Sequence, residues 1–329
     1  MLRISPVILI PVLLSGCVKE KGEQAIQAYS GAKTSGGSVS SRGPEMVPPF
    51  NGSRAFGLLR AQTAFGPRTP NSTAHAECLS YLTNLLRECT AEVQQQQFTH
   101  PGYDGEQLSL TNVVALFNAQ ASSRILLCAH WDTRPRADQD PNPEARLRPI
   151  PGANDGASGV AVLLEIAKLL KSSPPPVGVE IVLFDGEDYG REGDHANYLL
   201  GSRYYAKTVN SADLPKFGIL LDMVGDKNLD LPRERNSVRY APDVVNLVWN
   251  TAARLGIRQF DNSQGEEILD DHLPLNEVGI KTIDIIDFNY PDETNRFWHT
   301  LQDTPENCSA ESLESVGTVL MHVIYDGNL

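Results

Sequence analysis

The chain has 329 residues, with 41 acidic and 28 basic side chains and a formal net charge of −13. That excess of negative charge repels phosphate backbones and argues against a nucleic-acid partner. At 41% hydrophobic and 21% charged, the composition is that of an ordinary globular protein, long enough for one large core or two small ones.

The first residues stand apart from the rest. Arg3 precedes the apolar run Ile4 to Leu14, and Ser15-Gly16-Cys17 follow. A positive start, a short apolar centre and small closing residues describe an export signal, and the run is too short to span a bilayer as a mature helix. Leu14-Ser15-Gly16-Cys17 resembles the bacterial lipobox, in which cleavage precedes a lipidated cysteine. The expectation is a signal over 1–17, a lipidated Cys17, and a mature protein anchored to a membrane and facing the periplasm or cell exterior. Ordinary secretion with an incidental cysteine is the alternative. Residues 18–49, rich in Gly, Ser, Lys and Glu, read as a flexible tether, followed by one folded domain over 50–329.

Within that domain, Thr73 to Glu92 has helical spacing, with Cys78, Leu79, Leu82, Leu85 and Leu86 on one face. Leu108–Phe117 and Arg124–His130 are strand-like, the second apolar on both faces. A helix over Gly159–Leu170 stops before Pro174-Pro175-Pro176. Val179–Phe184 is a strand, Tyr198–Lys207 a helix, Gly218–Met223 a strand, Val244–Leu255 a helix, Lys281–Ile286 a strand and Ala310–Ile324 a closing helix. Buried strands alternating with helices imply a three-layer α/β/α fold around a mixed, mainly parallel sheet. Cys78, Cys89, Cys128 and Cys308 lack metal-ligand spacing and read as free, buried thiols. Cys78 and Cys89 are about three turns apart in one helix, too far to bridge.

Polar residues gather just after the strands, where an open α/β sheet places its ligands. His130 and Asp132 are two apart and share a face, so Asp132 can orient the imidazole; alone, such a pair also describes a surface contact. Gly152-Ala153-Asn154-Asp155-Gly156-Ala157-Ser158-Gly159 is a tight turn before a helix, where Asp155 could be a ligand or a simple cap. Glu187 and Asp188 end a very apolar strand. Buried together they repel, and a divalent cation resolves the conflict if one carboxylate ligates and the other carries protons. Asp222 ends another buried strand, and Trp298-His299 arrives from the far end of the chain. Oxygen and imidazole donors without thiolate suit zinc in an open catalytic site.

The ordered set His-x-Asp, Gly-Ala-x-Asp, Glu-Asp, Asp and His resembles the di-zinc aminopeptidase family and, within it, the glutaminyl cyclases. The resemblance runs from Gly66-Pro67-Arg68-Thr69-Pro70 to the C-terminus. It implies Asp155, Asp188 and His299 as the zinc ligands of a cyclase, with Glu187 as general acid and base. An aminopeptidase would add His130 and Asp222 around a second zinc, with Asp155 bridging. Both sets are present, so the ligands do not choose between the branches. Asp270-Asp271-His272-Leu273-Pro274 matches the cyclase Asp-Asp-His-x-Pro segment, whose first aspartate would join a carboxylate hydrogen-bond network with Glu187 and Asp222. Trp298 would form an aromatic wall for the substrate side chain, and Tyr198-Leu199-Leu200-Gly201-Ser202-Arg203 is similar to a cyclase helix start. Two features depart: animal cyclases carry Glu-Glu at 187–188, and a tryptophan they place shortly afterwards is not evident between Tyr189 and Asn197. The resemblance implies cyclisation of the N-terminal glutamine of peptides or proteins, with one zinc. A di-zinc aminopeptidase or, from another class, a non-catalytic peptide-binding ectodomain are the alternatives.

Overall fold

The computed structural model describes residues 47–326. The expected signal, Cys17 and all but the last residues of the tether lie outside the described residues. From Phe50, which packs into the core, the chain runs α1 (Gly52–Thr63), α2 (Thr73–Cys89), β1 (Val93–Pro101), β2 (Gln107–Phe117) and β3 (Arg124–His130). It continues with α3 (Ala157–Ser172), β4 (Gly178–Phe184), α4 (Leu200–Thr208), β5 (Gly218–Asp222), β6 (Leu231–Arg233), α5 (Arg235–Tyr240) and α6 (Pro242–Leu255). The last elements are β7 (Phe260–Gln264), α7 (His272–Glu277), β8 (Thr282–Ile286) and α8 (Ala310–Tyr325).

Six strands form one sheet in the order β1-β2-β4-β3-β5-β8. The β4, β3, β5 and β8 strands are mutually parallel, while β1 and β2 add an antiparallel edge, so the sheet is mixed and mainly parallel. Strand alternation divides the core. Ile125, Leu127 and Ala129 of β3 pack with α1, α2, α3, α6 and α8, whereas Leu126 and Cys128 face α4 and α7. Helices on both faces explain why β3, β4 and β5 are apolar at nearly every position, and they complete the three expected layers.

Local chemistry sets the element ends. Asn51, Ser72 and Ser309 cap α1, α2 and α8 by accepting backbone N–H groups with their side chains. Gly256, at φ 73°, closes α6. The predicted helix over 73–92 ends at Cys89, because Thr90 turns extended and its hydroxyl donates to Leu116 of the sheet. The predicted strand over 218–223 ends at Asp222, because Met223 turns to φ 49°. The predicted helix at 198 begins only at Leu200, after Leu199 at φ 59°. The four cysteines among the described residues are free, and Cys78 and Cys89 do share α2; Cys78, Cys128 and Cys308 are buried as expected, whereas Cys89, at the end of α2, is only half-buried.

The α3 helix crosses the sheet at its centre and fixes the later site. A Cβ on Gly159 would lie 2.3 Å from the Leu221 carbonyl, so the helix approaches β5 as closely as backbone allows. On the other side of β5, Asp287 follows β8. It is fully buried and accepts the amides of Asp230 and Asn289, each at 2.9 Å. Burial pushes its carboxyl up to about 7 against that pull. A carboxyl raised on folding stabilises fully only below its ordinary value of 3.8, and that contribution is lost as pH rises through about 7. The melting temperature should therefore decline across this interval, and Asp287→Asn should flatten part of the decline. Parallel melting curves for the two proteins would remove Asp287 from the effect.

Candidate metal centre and active site

Five segments deliver carboxylates and imidazoles to the C-terminal edge of the parallel strands. His130 ends β3, Asp155 lies in the turn before α3, Glu187 and Asp188 follow β4, Asp222 ends β5, and His299 arrives from the loop after β8. Their exposures are 1% for His130, 3% for Asp155, 9% for Glu187, 2% for Asp188, 8% for Asp222 and 5% for His299. Asp155 stands at the centre. Its Oδ1 is 3.1 Å from His130 Nε2, and its Oδ2 is 3.5 Å from His299 Nε2. Asp222 Oδ1 lies 3.2 Å from His130 Nε2, and Asp188 Oδ1 lies 3.3 Å from His299 Nε2. Two potential metal-holding groups result, His130-Asp155-Asp222 and Asp155-Asp188-His299, joined through the two oxygens of Asp155.

These donors fit zinc. A tetrahedral site with bonds of about 2.0–2.1 Å has donor–donor edges of about 3.3 Å. The observed separations of 3.1 to 3.5 Å cluster around that edge. Asp188 Oδ2 is buried without a hydrogen-bond partner, as expected of a group that answers to a cation rather than to a donor. The turn that carries Asp155 is built for close approach. Arg68 donates to the carbonyls of Trp131, Pro151 and Gly152, and Asp303 accepts the amides of Asn154 and Asp155. A Cβ on Gly156 would sit 2.4 Å from His130 Nε2. Asp132 does more than face His130 Nδ1 at 3.5 Å: it also accepts the amides of Glu187 at 3.0 Å and Asp188 at 3.4 Å, and so pins the acidic turn.

The crowding separates two neighbouring carboxyls. Burial and then the Asp188 charge push Glu187 well above the usual carboxylate range. Burial acts the same way on Asp188, yet His299 and Arg134 outweigh it and hold that carboxyl below the range. One acid is thus suited to hold a proton and its neighbour to stay charged. Asp155 is raised by burial and by Asp188, and Asp270 well raised by burial and by Asp222.

A cavity of about 490 Å³ opens over the group, lined by Asp155, Glu187, Asp188, Asp222, Asp270, Trp298 and His299 among others. Every site residue expected within the domain lines it except His130, which lies just beneath. Trp298 stacks on His299 with centroids 3.7 Å apart and meets Phe288 edge-on at 5.1 Å. On the side where animal cyclases place their extra tryptophan, the lining is Glu192, Gly193, His195 and Tyr198. Sequence reasoning missed three supporting residues. Arg134 donates to Asp188 at 2.8 Å, Asp303 caps the Asp155 turn, and Asp284 is fully buried beside Asp270. Asp284 left a signal, a charge inside the apolar strand Thr-Ile-Asp-Ile-Ile; Asp303 left none.

Residues 112–324 match Peptidase family M28. The aminopeptidase YwaD of Bacillus subtilis is 25% identical over 289 residues, 84% of this chain. The match spans 57% of that curated relative's length. The solved glutaminyl cyclase of Bacteroides thetaiotaomicron is 40% identical, with a TM-score of 0.82 over 86% of this chain and 100% of its own. A solved leucine aminopeptidase precursor from the same organism is 39% identical, with a TM-score of 0.82 over 86% of this chain and 99% of its own.

The close approach at Gly156 is testable. Gly156→Ala should destabilise the domain by about 1–3 kcal/mol through overpacking against His130. Gly57→Ala, at a helical position with open space, should be neutral or stabilising by up to about 1 kcal/mol. Denaturant midpoints for both variants check this; equal midpoints would mean that the turn yields without cost.

Proposed function

The chain belongs to Peptidase family M28, in the glutaminyl cyclase branch of that zinc aminopeptidase-like family, and from this we propose that it is a zinc-dependent glutaminyl-peptide cyclotransferase. It converts the N-terminal glutamine of a peptide or protein to pyroglutamate and releases ammonia. The observation that carries this reading is Asp270. It is 3% exposed, lines the cavity, and adds its charge to those acting on Glu187 while Asp222 acts on it in turn. The cyclase resemblance implies a hydrogen-bonded network of Glu187, Asp222 and Asp270; among the described residues no hydrogen bond joins the three, and what links them is the action of Asp222 on Asp270 and of Asp270 on Glu187.

Asp155, Asp188 and His299 would hold the zinc, which when bound polarises the γ-carboxamide carbonyl as a Lewis acid. Glu187 takes a proton from the α-amine as its nitrogen attacks the carbonyl carbon of the side-chain carboxamide and returns one to the departing ammonia. The C–N bond of the ring forms as the C–N bond of the carboxamide breaks, so no water is consumed. Burial and the charges of Asp188 and Asp270 keep the proton affinity of Glu187 high. Trp298, fixed by its stack on His299, packs the methylenes of the glutamine side chain. Nucleophile and electrophile belong to one substrate, so holding that side chain curled supplies much of the rate.

A second reading is favoured by the group His130-Asp155-Asp222. With a second zinc there, Glu187 would activate water and the chain would release N-terminal residues as a di-zinc aminopeptidase. If Cys17 is lipidated as the lipobox resemblance suggests, either activity acts on peptides outside the cytosol, at a membrane.

A Gln-initiated peptide and a leucine amide separate the two. Cyclase activity gives ammonia and a product lighter by one ammonia; free leucine gives the aminopeptidase; silence on both with zinc present ends both readings. Glu187→Gln should keep its zinc and lose about 10²–10⁴ in kcat. Retained turnover would strip Glu187 of its role.

A further inference from the structure

Arg134 lies four residues beyond β3, and its side chain is 2% exposed. A guanidinium is buried this deeply only when its fork of donors is used. Here Nε and Nη2 donate to the two oxygens of Asp138 at 2.8 and 2.6 Å. Nη1 donates to Asp188 Oδ1 at 2.8 Å and to the Asp188 carbonyl at 3.3 Å, and Nη2 also reaches the Tyr198 hydroxyl at 3.0 Å. Asp138 Oδ1 in turn lies 3.8 Å from His299 Nδ1, a ring nitrogen with no hydrogen-bond partner among the described residues. Asp188, Arg134, Asp138 and His299 therefore form a closed ring, whose remaining side is the 3.3 Å approach of His299 Nε2 to Asp188 Oδ1.

We propose that Arg134, locked by Asp138, is a positioning residue of the metal centre: it holds Asp188 in the rotamer that faces His299 and, through Asp138, turns the His299 ring so that Nε2 points inward. The inference rests on the reading of Asp188 and His299 as zinc ligands. Two effects of Arg134 on a bound cation oppose each other. Its charge repels the cation, and its fork preorganises a ligand. Asp155, Glu187, Asp188, Asp222 and Asp270 already crowd the cavity with acidic groups. Negative potential is not scarce there, so geometry is the limiting factor and positioning wins. A flexible ammonium cannot replace a planar fork that bonds two carboxylates at once.

Arg134→Lys keeps the charge and removes the fork. Zinc affinity, measured on the full chain by competition with a chromophoric chelator, should fall about 10–100-fold, the usual cost of losing an outer partner of a metal ligand. The zinc-free melting temperature should fall as well, because Lys leaves buried acceptors of Asp138 and Asp188 unmet, so affinity is compared at a temperature where both zinc-free proteins are folded. Asp138→Asn should act in the same direction and decides the matter if Arg134→Lys fails to fold. In an Asp188→Asn background, Arg134→Lys should cost clearly less affinity than in the parent, because only the arm through Asp138 to His299 is then left to lose, whereas a merely structural role would add its full penalty again. Unchanged affinity in a folded Arg134→Lys protein, or additive losses, would overturn the inference alone. A parent chain that binds no zinc would overturn the metal reading and this inference with it.

Discussion

Six carboxyl groups, Asp132, Asp155, Glu187, Asp188, Asp222 and Asp270, meet at the C-terminal edge of the parallel strands, none more than 9% exposed. Their mutual repulsion in a poorly hydrated space is the force to which the surrounding structure responds. The protein answers it in three ways. Backbone amides are turned inward, as where Asp132 receives those of Glu187 and Asp188. Basic groups are brought close, with Arg134 on Asp188 and His130 between Asp155 and Asp222. Some acids have their proton affinity raised, Glu187 and Asp270 foremost. A divalent cation between Asp155, Asp188 and His299 would complete the compensation.

The layers and the main strands were legible in the sequence because burial on both faces writes an unbroken apolar run, as in Arg124–His130, whose predicted and observed limits coincide. The site residues were legible for a related reason: a charge directly after such a run, as at Asp222 or Glu187, has no place in a core. The β1 strand was not legible. Val93-Gln94-Gln95-Gln96-Gln97 is an edge strand with little buried surface, so no apolar period marks it. The α1 helix was missed because its buried residues are Gly52, Ala55, Leu59 and Gln62, one without a side chain and one polar, whose amide nitrogen donates to the Ala157 carbonyl. Arg134 and Arg68 were invisible as structural groups, since arginine in a sequence normally signals solvent, and only the fold shows their donors spent on buried oxygens.

The fold is shared by relatives named for both chemistries, and two solved structures of nearly equal similarity differ in the activity their names give. What separates the reactions must therefore lie in the groups that face the substrate. Here the cavity has two unlike walls. Trp298, Phe288 and Ile268 are apolar, while Glu192, His195 and Tyr198 are polar.

Asp155 and His299 occupy distant parts of the chain, and that distance has a consequence for biosynthesis. A chain leaving the ribosome presents Asp155, Asp188 and Asp222 long before His299 exists, and β8 must dock beside β5 before the loop that carries His299 can close. Such long-range pairings form late and slowly. The centre cannot act as a nucleus around which the domain assembles, as a zinc finger does around its metal. The sheet has to fold first on hydrophobic grounds, and the ion would be a passenger that boards a finished vehicle.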